Sequence, residues 1–126
     1  QSSPNGVNTK IQFAEHVITE RGSGVDFTNN RYVAPIGGYY HFSYTIYTYY
    51  CSITYIDVQK NGSIFHRNWG LAVAHQANPY TTTGSLTMLL VKGDYIELFS
   101  QLSATGDGYI FSASTNPTIF MGHLIG

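Results

Sequence analysis

The chain has 126 residues, only 10% of them charged, and a formal net charge of -1 from six Lys and Arg against seven Asp and Glu. No strong field steers such a chain to nucleic acid or to an anionic membrane surface, and no apolar run approaches the ~18–20 residues of a membrane-spanning helix. The hydrophobic fraction of 43% argues against disorder, and 15% aromatic residues, eleven Tyr among them, favour strands. The single Cys cannot form a disulfide within the chain or a cysteine zinc cage.

Residues 1–9 are polar, with Pro4 and Gly6, and read as an N-terminal tail before a single domain over 10–126. The chain begins at Gln1 without a Met or a charged-then-apolar leader. A removed signal peptide and a trimmed chain give the same start, and a secreted, extracellular protein is expected. Short β-type runs follow, separated by turn signals about every ten residues, which is the pattern of a sandwich or barrel. No window has helical period. Strands are expected over 11–18, 32–34 (ended by Pro35), 39–49, 53–60, 64–71, 83–91, 95–102 and 118–125. Asn61-Gly62 reads first as a two-residue hairpin turn, because both central residues need positive φ. Asn61-Gly62-Ser63 is also a formal glycosylation sequon, and the two readings are compatible. Lys92-Gly93-Asp94 is a second tight turn.

The strand over 39–49 has two apolar-leaning faces. Tyr40, Phe42, Tyr44 and Ile46 form a core face. Tyr39, His41, Thr45, Tyr47 and Tyr49, opposite, are too aromatic for a solvated face and too polar for a dry core. In the last strand Phe120 and Leu124 lie opposite Ile119, Met121 and Ile125. A sheet face open to water should alternate cleanly. One face is therefore expected in the core and the other in a subunit interface, a setting that suits Tyr; the rival explanation is that both strands lie centrally in a well-covered fold.

The segment Arg31-Tyr32-Val33-Ala34-Pro35-Ile36-Gly37-Gly38-Tyr39-Tyr40-His41-Phe42-Ser43-Tyr44 resembles the signature of the C1q globular-head domain. Gln12-Phe13, Val58-Gln59-Lys60-Asn61-Gly62, the run Leu86 through Leu98 with its Gly93-Asp94, and the closing Phe120-Met121-Gly122-His123-Leu124 resemble four further blocks of that family, in the same order. Asn30 stands where the family usually has Gly; Asn tolerates positive φ. The resemblance implies an all-β, ten-stranded jelly-roll sandwich of the C1q and tumour-necrosis-factor type, assembled as a trimer, and a recognition module in place of an enzyme. It is most like stalkless secreted members from molluscs, some of which are lectins for acetamido sugars or sialic acid.

No catalytic motif competes with this. Glu15, Glu20, Asp26, Asp57, Asp94, Glu97 and Asp107 show no local pairing of the kind glycosidases use, and Gly22-Ser23-Gly24 lacks the pattern of a nucleophile elbow. The five His, at 16, 41, 66, 75 and 123, have no zinc spacing; His41 and His123 read as packing or interface residues. No cofactor is expected. Gly106-Asp107-Gly108 offers oxygen ligands to calcium but lacks the acid density of a calcium loop, and reads as a loop turn. Cys51 is either buried or bridges two subunits.

Strand counting puts four loops at one end of the sandwich, near 20–30, 49–52, 72–82 and 103–116, three of them long, and tight turns at the other. Ligand sites favour long loops, and a sugar site combines aromatic faces with a few polar groups. The candidate ligand-binding residues are His75, Asn78, Tyr80, Asp107 and Tyr109, with Trp69 on the strand leading to the third loop. The sequence thus points to a secreted lectin of the C1q type in innate immunity. Its partners would be N-acetylated glycans on cell or microbial surfaces and further copies of itself or a related chain, disulfide-linked in one version, with no nucleic acid and no membrane insertion. The alternative is a non-lectin trimer that binds proteins in a signalling or structural role.

Overall fold

The computed structural model describes the backbone of residues 2–3, 9–11, 17–18, 25–26, 28–71, 80–111 and 119–126, and the side chains of 9–11, 26, 28–47, 55–68, 81–101 and 120–126. Among the described residues there are ten strands and no helix. They are β1 (Ser2–Ser3), β2 (Thr9–Lys10), β3 (Val17–Ile18), β4 (Val25–Asp26), β5 (Arg31–Val33), β6 (Gly38–Lys60), β7 (Ser63–Leu71), β8 (Tyr80–Leu90), β9 (Tyr95–Phe111) and β10 (Ile119–Leu124). The chain is the expected jelly-roll sandwich of two antiparallel sheets; β3 alone runs parallel to its partner, β10.

β6 organises both layers. Its first half pairs with β8 on one side and β10 on the other. Its second half pairs with β7 and β9. The sequence suggested two strands here, over 39–49 and 53–60. The chain instead runs extended through the break, with register shifts at Tyr49/Cys51 and Cys51/Ile53. Such irregularities bend a strand and let it cross from one sheet to the other. The outer edge of β9 carries β5, β2 and β1 in turn. Residues read as a tail therefore contribute strands at Ser2–Ser3 and Thr9–Lys10.

Period two decides the core. Tyr40, Phe42, Tyr44 and Ile46 of β6 point inward, as the sequence indicated, and meet Ile56, Val58, Ile96 and Leu98 from the opposite sheet. Phe42 is the centre of an aromatic cluster. Its ring lies edge-on to Tyr32 at 5.1 Å, stacks on Phe120 at 5.7 Å and lies 6.3 Å from Tyr40. Gly122 sits directly opposite Phe42 on β10, and a Cβ there would fall 2.6 Å from the Phe42 ring. Only a bare backbone leaves room for it.

The turns are closed by side chains. Asn61 and Gly62 adopt φ of 51° and 84°, the hairpin chemistry read from sequence. The Asn61 amide donates to Asp94 Oδ1 at 2.9 Å and accepts from the Tyr95 amide at 2.9 Å, tying this turn to the Lys92-Gly93-Asp94 turn. Asp94 Oδ2 also accepts from the Val91 amide. Asp26 does similar work before β5: it accepts from the Thr28 and Asn29 amides and the Asn29 side chain, and Asn30 takes a φ of 52°. Hydrogen bonds from Asn61 and Val91, with Lys60 nearby, hold the Asp94 carboxyl below its ordinary 3.8, and the Asn29 side chain and backbone hold Asp26 below it too. A carboxylate with a depressed folded pKa contributes stability above its ordinary value and loses it as pH falls through the folded value. The melting temperature is therefore expected to fall most steeply below pH 3.8, and Asp94→Asn to flatten that fall, in thermal melts from about pH 6 downward.

Candidate functional site

Three surfaces carry polar or aromatic chemistry beyond the core. The first is the end of the sandwich where β8 begins and β9 ends. Both flank β6 there: Tyr80 pairs with Thr48, and Tyr109 pairs with Tyr49. Ser2 and Ser3 of β1 pair with Tyr109 and Gly108 on the far edge of β9. Tyr49, Tyr50, Tyr80 and Tyr109 thus lie on three adjacent strands within a few register positions, and Asp107 is two residues before Tyr109. Of the candidate ligand residues, the topology brings Tyr80, Asp107 and Tyr109 to one end. Trp69 pairs with Tyr55, well along β6 toward the other end. His75 and Asn78 lie outside the described residues.

The loop assignment at this end needs correction. Residues 49–52 are strand, and β9 continues through Gly106-Asp107-Gly108 to Phe111. β6 pairs with Ala104 and Tyr109 on either side of this glycine-rich stretch and β1 pairs with Gly108, so it lies within a strand where local composition pointed to a turn. Cys51 pairs with Ala104 within the irregular part of β6; its side chain is outside those described.

The second surface is the outer face of β8, β6 and β10. Register builds it in rows. Leu89, Tyr39 and Ile125 form one row, 56%, 54% and 53% exposed, with the Ile125 amide donating to the Tyr39 carbonyl. Thr87, His41 and His123 form the next, then Ser85, Ser43 and Met121. Val91 and Ile36 lie exposed in the neighbouring turns. An apolar row standing in water on the back of a well-packed sheet is the property expected of an interface.

The third is the outer face of β6, β7 and β9. Asp57 is 1% exposed. Arg67 grips it with both prongs, Nε to Oδ1 at 2.6 Å and Nη2 to Oδ2 at 2.8 Å, and its guanidinium lies 5.4 Å from the Tyr55 ring centre. The hydrogen bond and charge of Asp57 raise the Arg67 pKa. The pairing depends on one extra residue. A regular hairpin from Lys60↔Ser63 would oppose Asp57 to His66; the bulge at Val58/Gln59 opposes it to Arg67 instead. Sequence reading placed Asp57 in the expected strand over 53–60 and missed this clamp, since no local signal marks the bulge. The described residues hold no cluster of three or more His, Cys, Asp or Glu, and no helix long and apolar enough to cross a membrane.

The described strands thus form a jelly roll with a packed core, an exposed apolar row on one sheet face and several tyrosines near the start of β8 and the end of β9. Comparison with known families is specific: residues 1–125 match the C1q domain, and the chain belongs to that family. C1q domains generally form trimers, and proteins that carry them are typically secreted and non-enzymatic. Among curated proteins none matches the chain.

Proposed function

We propose that this chain is a secreted, trimeric C1q-type lectin that recognises N-acetylated sugars on cell or microbial surfaces in innate immunity. The observation that supports it is the placement of Tyr80, Asp107 and Tyr109 within a few register positions of Tyr49 and Tyr50, where β8 begins and β9 ends beside the middle of β6. Tyrosine rings suit the apolar side of a sugar, and a carboxylate and hydroxyls suit its polar edge. His75 and Asn78 would join them from the adjoining segment, whereas Trp69 stands apart. The apolar row at the start of β6 supports assembly, which would present several weak sites at once. Cys51 joins subunits if it is oxidised in the trimer; a single band at monomer mass on a non-reducing gel rejects that version.

A glycan array, run with and without a calcium chelator, tests the reading. Selective signal on acetamido sugars is expected, lost in Asp107→Ala and Tyr109→Ala variants that remain trimeric by light scattering. Leu89→Asp, in the apolar row, is expected to yield folded monomers and to reduce array signal by about 10²-fold or more through lost avidity. A blank array from an intact trimer favours the protein-binding alternative instead. Ile64 and Phe65, about half exposed on the flank of the β6–β7 hairpin, would be its first contact surface.

A further inference from the structure

We infer that His41 and His123 form a chelating site for a divalent transition metal, with Zn2+ as the best-fitting ion. The two residues lie directly opposite each other on the antiparallel strands β6 and β10. Their ring centres are 5.6 Å apart and the rings are tilted by 59°. Two imidazoles bound to one Zn2+ through nitrogens at about 2.0–2.1 Å place each ring centre about 3.2 Å from the metal. A tetrahedral angle then separates the centres by about 5.2 Å. The observed pair is within a small side-chain rotation of that spacing. A square-planar angle would bring the centres to about 4.5 Å, further from what is seen.

The surroundings suit a cation. Thr87, in the same row, holds the His41 ring with its hydroxyl 3.2 Å from Nδ1. That contact engages one nitrogen and leaves Nε2 for a metal, the usual division of labour in histidine ligands. Among the described residues of this face on the three strands none is cationic; Lys60 Nζ donates to the Leu89 carbonyl one row away. Two of four tetrahedral positions remain for water or an incoming ligand, the open arrangement of a non-structural site. The reading from sequence, packing or interface residues, had no access to the register that sets the two rings side by side. The site uses two side chains of one chain and is independent of sugar binding.

Titration of the intact protein with Zn2+ by calorimetry, and with Co2+ by visible absorption, decides the matter. The expected result is one ion per chain and the intense visible bands of tetrahedral Co2+. His41→Ala and His123→Ala should each weaken Zn2+ binding by well over tenfold, and Thr87→Val by about tenfold. His66→Ala, an exposed histidine on β7, should change nothing. Circular dichroism checks that each variant is folded. Absence of Zn2+ binding by the wild-type protein, or undiminished binding by a folded His41→Ala/His123→Ala double variant, overturns the assignment.

Discussion

Replacing Phe42 by alanine is expected to lower the unfolding free energy by about 4 kcal/mol, the upper part of the range for deleting a buried phenyl group. The side chain is fully buried and touches Tyr32, Tyr40 and Phe120, three rings contributed by β5, β6 and β10. Its removal leaves a cavity between sheets whose other walls are stiff aromatic residues, so little collapse can fill it. Urea unfolding measures the change; a loss below about 1 kcal/mol would mean that the rings do not pack as described. Gly122 supplies an internal check. Gly122→Ala pushes a methyl group into the space of the Phe42 ring and should cost about 1–3 kcal/mol by overpacking. In the double variant the methyl group enters the vacated cavity, and the combined loss should fall short of the sum of the two.

Arg67→Ala is the second large effect, read as a lowered urea unfolding midpoint. Its cost comes from what is left behind: Asp57 stays nearly inaccessible to water with both oxygens stripped of their donors, and an uncompensated buried charge is far costlier than the pair is stabilising. The partial exposure of Arg67 lets water reach part of the vacated space, which keeps the loss below that of a fully buried pair. Replacing both residues, Asp57→Leu with Arg67→Met, should recover much of the loss, because the desolvation cost disappears together with the pair. If the double replacement is as unstable as Arg67→Ala alone, the clamp is not the source of the effect.

The parts of this molecule that sequence disclosed are those set by local chemistry. Asn61-Gly62 and Lys92-Gly93-Asp94 turn because of backbone freedom and side-chain hydrogen bonds within a few residues. Alternation from Tyr40 to Ile46 assigns the core face because successive side chains point oppositely. Ordered blocks resembling the C1q domain extended this to the fold and family. What stayed hidden depends on partners distant in sequence. Gly106-Asp107-Gly108 has loop composition, yet it lies within β9, paired to β1 at Gly108 and flanked by β6 pairing at Ala104 and Tyr109. The residues near Cys51 resemble a break, yet β6 bends through them. The Asp57–Arg67 clamp hangs on a bulge of one residue, and the His41–His123 pair on the register of β10. At the aromatic end, sequence found Tyr80, Asp107 and Tyr109 as neighbours but assigned them to loop tips.

The long course of β6 through both sheets has a kinetic consequence. Neither sheet can be completed early, because each contains half of the same strand and its partners come from both ends of the chain. Ser2 pairs with Tyr109, and Val17 with Ile119. The entropy of closing these long loops must be met before most native pairings exist, which places folding in the slow regime of about milliseconds to seconds, as for other proteins dominated by non-local strands. The sandwich therefore behaves as one cooperative unit, with no half able to fold first and template the other.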